Sequence, residues 1–384
     1  MNKPTATRLP ALDNRDQSDA AAVNRILSAG PRWTLPEDFA ERLVIFGAGG
    51  LGRRVARVMR SLGHLPLALC DNNAALSGTD VEGIKVFSVS EAASLFPHAI
   101  FLIAVWHPSR TEGLRHHELA LAKSGCREIT CFIPLFWRFP KEFLPNMFWE
   151  LPSELKKQAH LIAAARALMD ERGREEFDRQ LWFHVSGDPQ RLHVPVPGPQ
   201  YFPGDLITIS LDEVFVDCGA YDGDTLRDFM EVSGGRFRRA LALEPDLDNF
   251  RKLTSGLSDN RVSLLCTAVG AKASVVRLSS SGASSCVSDT GSVESRCAAL
   301  DDLLADEKPT FIKMDIEGSE REALRGAAAT IKRCRPKLAI CVYHRPDDLW
   351  RIPLLLKELM PYARLTLRSH MLDGYDTVCY CIPN

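Results

Sequence analysis

The chain has no excess of charge of either sign: 47 Lys and Arg stand against 49 Asp and Glu, a formal net charge of −2. That balance removes the electrostatic basis for a dedicated DNA or RNA binder, whereas a small anionic ligand needs only a local site. Long apolar runs are missing too. The longest, Ala99 to Trp106, has the length of a buried strand and falls far short of the ~20 residues of a membrane span. The first forty residues contain no apolar signal core. Among the eleven cysteines there is no Cys-x-x-Cys pair, and an odd number cannot pair completely. Several lie in apolar runs (Cys70, Cys131, Cys218, Cys266, Cys341), where a thiol behaves as a small hydrophobe. Reduced thiols in a cytoplasmic protein are therefore expected. What is present is 384 residues, 45% hydrophobic and 25% charged, enough for two domains with their own cores.

Four prolines break residues 1–40, which read as a polar leader with one short helix. Residues 41–135 then alternate strands and helices, as a parallel sheet covered on both faces does. Strands are expected at Leu43–Phe46, Leu65–Cys70, Lys85–Phe87, Ile100–Val105 and Glu128–Phe132, with a helix over Arg53–Leu62. Residues 136–205 form a linker region of different character. Aromatic residues and prolines crowd between Phe132 and Trp149, as interdomain packing or the wall of a substrate site. One long helix is expected from Ser153 to about Asp178, followed by a proline-rich stretch, Pro195 to Pro203. A second α/β unit occupies residues 206–384, with strands at Val214–Asp217, Ala240–Leu243, Ser263–Cys266, Phe311–Met314, Leu338–Tyr343, Leu365–Leu367 and Thr377–Ile382. Within it, Ser279 to Ser295 is so rich in serine and glycine that a mobile loop is expected, either a linker or a lid over a site. The fold class is thus α/β, two doubly wound Rossmann-like domains joined by a helical segment.

Two glycine turns carry different signals. Gly47-Ala48-Gly49-Gly50-Leu51-Gly52 is a G-x-G-x-x-G set between strand and helix, the arrangement that brings backbone amides to a pyrophosphate. Asp71 ends the next strand, where a ribose hydroxyl would be met. Gly47, Gly49, Gly52 and Asp71 therefore form a candidate second nucleotide site, for NAD or a nucleotide-sugar. The same glycines also serve helix–strand packing, and the Tyr-x-x-x-Lys dyad of short-chain reductases does not occur.

The second turn, Val216-Asp217-Cys218-Gly219-Ala220-Tyr221-Asp222-Gly223-Asp224-Thr225, opens on an acid. A carboxylate there repels pyrophosphate and suits a cationic ligand with an amino-acid moiety, such as S-adenosylmethionine. Glu244 ends the following strand, where a carboxylate accepts two hydrogen bonds from a ribose diol. Further on, Lys313-Met314-Asp315-Ile316-Glu317-Gly318-Ser319-Glu320 delivers closely spaced acids to a strand end. Such placement is costly unless it serves a cation or a proton transfer. His344 lies at the end of another core strand.

From about Tyr201 onward the chain resembles the FkbM family of S-adenosylmethionine-dependent methyltransferases. The resemblance rests on Tyr201-Phe202-Pro203, the second glycine turn, Leu243-Glu244-Pro245, Ala268-Val269-Gly270, the Asp-x-Glu-Gly-x-Glu block at Asp315 and Tyr343-His344-Arg345-Pro346. Arg368-Ser369-His370 departs from it, with serine where a second histidine is expected. The first unit resembles, more loosely, a Rossmann-like domain fused ahead of some sugar-modifying enzymes. The family implies a seven-stranded class I methyltransferase sheet with an antiparallel terminal hairpin, acting on hydroxyls of sugars, polysaccharides or natural products. It further implies that Asp217, Gly219 and Asp224 line the cofactor's methionine portion and that Glu244 holds its ribose. Ala220, Thr225 and Asp315 complete the expected cofactor set. Asp315 or His344 is expected as the base, with Glu317 orienting it or helping to hold a divalent cation. An NAD-dependent sugar-nucleotide oxidoreductase, C-methylation of a keto-sugar and a non-catalytic binding module are the competing readings. Expected partners are a small-molecule or glycan acceptor, with neither nucleic acid nor a membrane span.

Overall fold

Short segments, wholly apolar at the centre, build the first sheet. In the computed structural model, which describes residues 14–281, 284–287 and 291–383, its strands are Leu43–Phe46 (β1), Ala68–Cys70 (β2), Asp80–Val81 (β3), Ile84–Phe87 (β4), Ile100–Ile103 (β5) and Glu128–Cys131 (β6). Their order is β3-β4-β2-β1-β5-β6, with β4, β2, β1, β5 and β6 parallel. Every residue of β1, β2 and β5 is buried, as strands covered on both faces require. The chain winds away from β1 in both directions, so the carboxyl ends of β1 and β5 form the switch point where ligands bind in such sheets.

The second unit has strands Val214–Cys218 (β7), Arg239–Leu243 (β8), Val262–Leu265 (β9), Ala268–Val269 (β10), Ser274–Ser281 (β11), Ser284–Val287 (β12), Val293–Ala298 (β13), Phe311–Met314 (β14), Lys337–Cys341 (β15), Arg364–Ser369 (β16) and Thr377–Ile382 (β17). Seven of them form a sheet of order β16-β17-β15-β14-β7-β8-β9. Its last strand, β17, runs antiparallel between β15 and β16, the terminal hairpin expected of a class I methyltransferase.

The serine-rich stretch is not the expected loop. Within the described residues, β11 pairs antiparallel with both β12 and β13 in a four-stranded sheet. Alternation explains it: Leu278 is buried while Val275 is exposed, so one face needs little apolar content.

The long helix expected from Ser153 is three helices, Pro152–Lys157, Ala159–Ala167 and Glu171–Ser186. Asp170 makes the last break. Its N–H bonds Leu365 O at 2.9 Å, and its Oδ1 caps the next helix by accepting Gly173 N–H at 2.7 Å. Residues 1–13 of the leader lie outside the described residues. Its helix, Asn14–Leu27, does not trail free: Val23, Ile26 and Leu27 pack into the core beneath the second sheet.

The aromatic segment is packing, not a substrate wall. Phe136 and Phe143 stack at 4.6 Å, and Phe148 and Trp149 are fully buried. Trp106 meets Tyr375 at 4.7 Å and thereby joins the two units. The ten cysteines other than Cys286 are free thiols. Cys266, expected inside a strand, lies exposed beyond the end of β9. No helix among the described residues is long and apolar enough to cross a membrane.

Candidate active site

β7 and β14 are parallel neighbours, and their register sets Asp217 opposite Lys313. Both side chains are essentially inaccessible, with Lys313 Nζ 3.0 Å from Asp217 Oδ1. The Lys313 hydrogen bonds run to Gly219 O at 2.6 Å and Cys218 O at 3.4 Å, so the pair is ionic and Nζ also ties down the glycine turn. Burial pushes the Asp217 carboxyl up to about 6, against the pull of Lys313. Burial opposes the charge of Lys313, but Asp217 and Asp315 outweigh it and hold the ammonium above its ordinary value. Asp217, expected to line the cofactor site, therefore acts from beneath it through Lys313.

Above this pair the turn runs from Gly219 to Gly223. Gly219 has φ +81°, and a Cβ there would stand 1.8 Å from Asp315 O. Gly219 N–H and Ala220 N–H both bond Leu243 O, which pins the turn to the end of β8. Ala220 is fully buried, so of the expected cofactor set it shares Asp217's supporting position. Asp224 and Thr225 open the helix Asp224–Val232. Next along the sheet, Glu244 accepts Tyr221 N–H through Oε2 and Asp246 N–H through Oε1, each at 2.9 Å. Burial pushes its carboxyl up, and these two N–H groups pull it back. Each oxygen keeps a lone pair for a diol.

Asp315 follows β14. Its Oδ2 accepts Tyr201 OH at 2.8 Å; its Oδ1 stands 3.2 Å from His344 Nε2 and 3.5 Å from Tyr343 OH. Burial would raise this carboxyl, but His344, Lys313 and the Tyr201 hydroxyl hold it well below the usual carboxylate range. On its other side, His344 Nδ1 is 2.9 Å from Glu320 Oε1, which also accepts Ile316 N–H at 2.9 Å. Burial disfavours the imidazolium, yet Glu320 and Asp315 hold His344 well above its ordinary value. The His344 side chain is 3% exposed and stands behind Asp315 as a clamped cation. Glu317 Oε2 is 3.7 Å from His344 Nε2.

Asp315, Glu320 and His344 place ligand atoms within 4.8 Å of one another. Within this set each ring nitrogen of His344 faces a carboxylate, Nε2 toward Asp315 and Nδ1 toward Glu320. Glu317, expected to help hold a divalent cation, stands outside that trio.

These strand ends surround a cavity of about 450 Å³, lined by Gly219, Thr225, Glu244, Lys313, Asp315 and Glu317 among others. Leu278 and Val287 reach it from the β11–β12 hairpin, and Pro108 from the first unit. Three of its residues, Tyr221, Glu317 and Asp376, hold left-handed backbone at φ 47°, 54° and 50°. Such strain persists where surrounding structure fixes it and concentrates at functional sites.

The first glycine turn is built differently. Gly47 has φ +105°, and a Cβ on Gly52 would stand 1.7 Å from Gly47 O, so both serve close helix–strand packing. Gly49 would meet nothing within 4 Å. Asp71 turns onto the loop itself, accepting Ala48 N–H at 2.7 Å and Asn73 N–H at 2.8 Å. At least one amide of the turn is thereby satisfied within the protein.

Residues 217–370 match the family model of the methyltransferase FkbM domain. They are an FkbM methyltransferase domain. The full architecture resembles the crystal structure of methyltransferase FkbM from Methylobacillus flagellatus KT, at 25% sequence identity and a TM-score of 0.75. That likeness covers 96% of this chain and 99% of the other. The fibrillarin/Nop5p complex is similar at 15% identity and a TM-score of 0.31, over 47% of this chain and 77% of that one. An rRNA methylase from Streptococcus thermophilus is similar at 14% identity and a TM-score of 0.29, over 46% and 90%. Curated protein sequences contain no match. The chain is an S-adenosylmethionine-dependent methyltransferase.

The second unit and the segment ahead of it also contain contacts that residue spacing alone did not disclose. Lys313 was visible as the one charge inside an apolar strand, a signal of a buried partner. Tyr201 and Glu320 stood in recognisable blocks, but their partners are far away in sequence. Arg368 pairs with Asp205, and His370 bonds Tyr380, so this tail motif is structural.

Proposed function

We propose that the enzyme transfers the methyl group of S-adenosylmethionine to a hydroxyl of a sugar, polysaccharide precursor or natural product. The observation that carries this reading is one cavity holding both Glu244, suited to a ribose diol, and Asp315, an ionised carboxylate beside the strand-end turn. Gly219, Asp224 and Thr225 would border the methionine portion of the cofactor. Lys313 adds little repulsion toward a sulfonium, because Asp217 neutralises it.

The acceptor oxygen attacks the methyl carbon as the carbon–sulfur bond breaks and its electron pair returns to sulfur. Alignment is the first requirement of this in-line displacement. The hydroxyl proton becomes strongly acidic as the oxygen–carbon bond forms, so even a weakly basic carboxylate can take it. We assign that task to Asp315, which lines the cavity together with Glu317. His344 and Glu320 are positioning residues: they fix the Asp315 carboxylate and keep it ionised.

Calorimetry and turnover test the reading together. S-adenosylhomocysteine should bind the full chain, and Asp315→Asn should keep that affinity within about tenfold while turnover falls by ~10² or more. The product should carry its new methyl on oxygen by NMR. Unchanged turnover would remove Asp315 from the chemistry. Binding of NAD without binding of S-adenosylhomocysteine would replace methyl transfer by oxidoreduction.

A further inference from the structure

A second cavity, of about 400 Å³, lies between the two units and differs from the first in charge. It is lined by Arg115 and His116 from the first unit, by His193 from the connecting segment, and by the apolar Leu119, Leu192 and Val194. Its one carboxylate, Asp373, is buried and accepts Leu114 N–H at 2.7 Å. One N–H of the helix terminus there is thus already taken, and the exposed charge is the Arg115 guanidinium, with the imidazoles of His116 and His193 on the same wall. The first cavity carries the opposite sign, with Asp224, Glu244, Asp315, Glu317 and Asp376 at its wall.

Two loops contribute residues to both cavities. After β5 the chain leaves the switch point of the first sheet; Pro108 lines the first cavity and Thr111 the second. In the tail loop, Leu372 and Asp373 line the second cavity and Asp376 the first. Three peptide units reach at most about 11 Å, so neighbouring walls of the two cavities are no farther apart than that. Arg110 lies on the bridging segment. Its side chain donates to Gly198 O at 3.3 Å; burial raises the Asp376 and Asp228 carboxyls, and Arg110 is close enough to offset part of that rise in each. The two loops are fastened together, since Leu372 N–H bonds Ser109 O at 2.7 Å.

We propose that the acceptor spans both cavities, with the hydroxyl to be methylated beside Asp315 and a phosphate or diphosphate group seated on Arg115, His116 and His193. This rests on the methyl-transfer reading of the first cavity. Arg110 stands at the crossing, as a specificity-determining residue rather than a catalytic one. Charge separation supports the orientation. The acidic cavity favours a sulfonium and repels phosphate, whereas the basic cavity favours phosphate. The first unit would then supply acceptor recognition through its β5 loop. A sugar nucleotide and a lipid-linked diphosphate sugar share this chemistry.

The test uses the full chain and sodium pyrophosphate as probe, titrated by calorimetry at fixed ionic strength. Arg115, His116 and His193 are all exposed, so their replacement leaves the core intact. Pyrophosphate should bind the wild type, and Arg115→Ala with His193→Ala should weaken it at least tenfold while S-adenosylhomocysteine affinity stays within twofold. A sugar nucleotide and a short prenyl diphosphate sugar, titrated in the same way, identify the source; the same loss with either supports the proposal. No pyrophosphate binding, or equal binding by the double variant, would overturn it. Failure of the wild type to bind S-adenosylhomocysteine would overturn the methyl-transfer reading and this proposal with it.

Discussion

Tyr201 donates its hydroxyl hydrogen to Asp315 Oδ2 at 2.8 Å, joining the proline-rich segment ahead of β7 to the end of β14. The phenol is buried, so the bond is shielded from water and fixes one side of the carboxylate. Hydrogen bonds to charged groups contribute roughly 1.5–3 kcal/mol. Tyr201→Phe removes this donor and leaves the His344 contact in place. Turnover should fall by about tenfold while S-adenosylhomocysteine affinity stays within threefold. Steady-state kinetics beside calorimetry check this, and an unaltered kcat would show that the bond positions nothing of consequence.

The Asp217–Lys313 pair calls for a double-mutant cycle. Removing one member of a buried pair leaves an uncompensated charge, a loss of about 3–5 kcal/mol. Lys313→Met should show it in the urea midpoint, and adding Asp217→Leu should recover much of the loss. Burial already pushes Asp217 to about 6 with its partner present. Without Lys313 it becomes neutral more readily, so the single variant should suffer less at pH 5.5 than at pH 8. Simple additivity of the two substitutions would contradict the coupling.

His344 sets a pH dependence with a definite sign. Its native value is raised above 6.5, so its contribution to stability is complete below about 6.5 and is lost as pH rises through the native value. Asp315 behaves oppositely, since its native value is depressed below 3.8. Its contribution is present above about 4 and disappears as pH falls through the native value. Urea midpoints measured from pH 6 to 10 should therefore decline more steeply for wild type than for His344→Gln. Parallel curves would mean that the imidazolium is not what binds Asp315 to Glu320.

Much of this architecture was legible because buried parallel strands announce themselves. Leu43–Phe46, Phe311–Met314 and Thr377–Ile382 have the bounds their apolar runs suggest. The strands Ser274–Ser281 and Ser284–Val287 did not, because their serine-rich sequence has the composition of a loop. The helix break at Asp170 was hidden for another reason: Leu365, which accepts its N–H, lies almost two hundred residues away. At the site, strand ends placed Glu244, Asp315 and Glu317 on the cavity wall. Pattern could not tell that Asp217 points beneath the turn, since that follows from its register with Lys313. The clamp on His344 was equally hidden, because it depends on the third acid of the block, Glu320, rather than on its neighbours in the chain.

The two glycine turns separate under a single added methyl group. At Gly219 a Cβ would overlap Asp315 O at 1.8 Å, on a backbone with φ +81°, so both the turn and the end of β14 must move. Gly219→Ala should abolish S-adenosylhomocysteine binding and destabilise the fold by about 3 kcal/mol or more. Gly52→Ala meets Gly47 O at 1.7 Å and should damage the first unit to a similar degree without touching the methyl-transfer cavity. Gly49 differs from both, with φ −81° and nothing within 4 Å of the added carbon. Gly49→Ala should leave the thermal midpoint, S-adenosylhomocysteine affinity and turnover unchanged within error. If that substitution instead raised the KM for the acceptor while kcat held, the open space at Gly49 would be part of the acceptor's path. The variant thus distinguishes a turn kept for packing from one kept for a ligand.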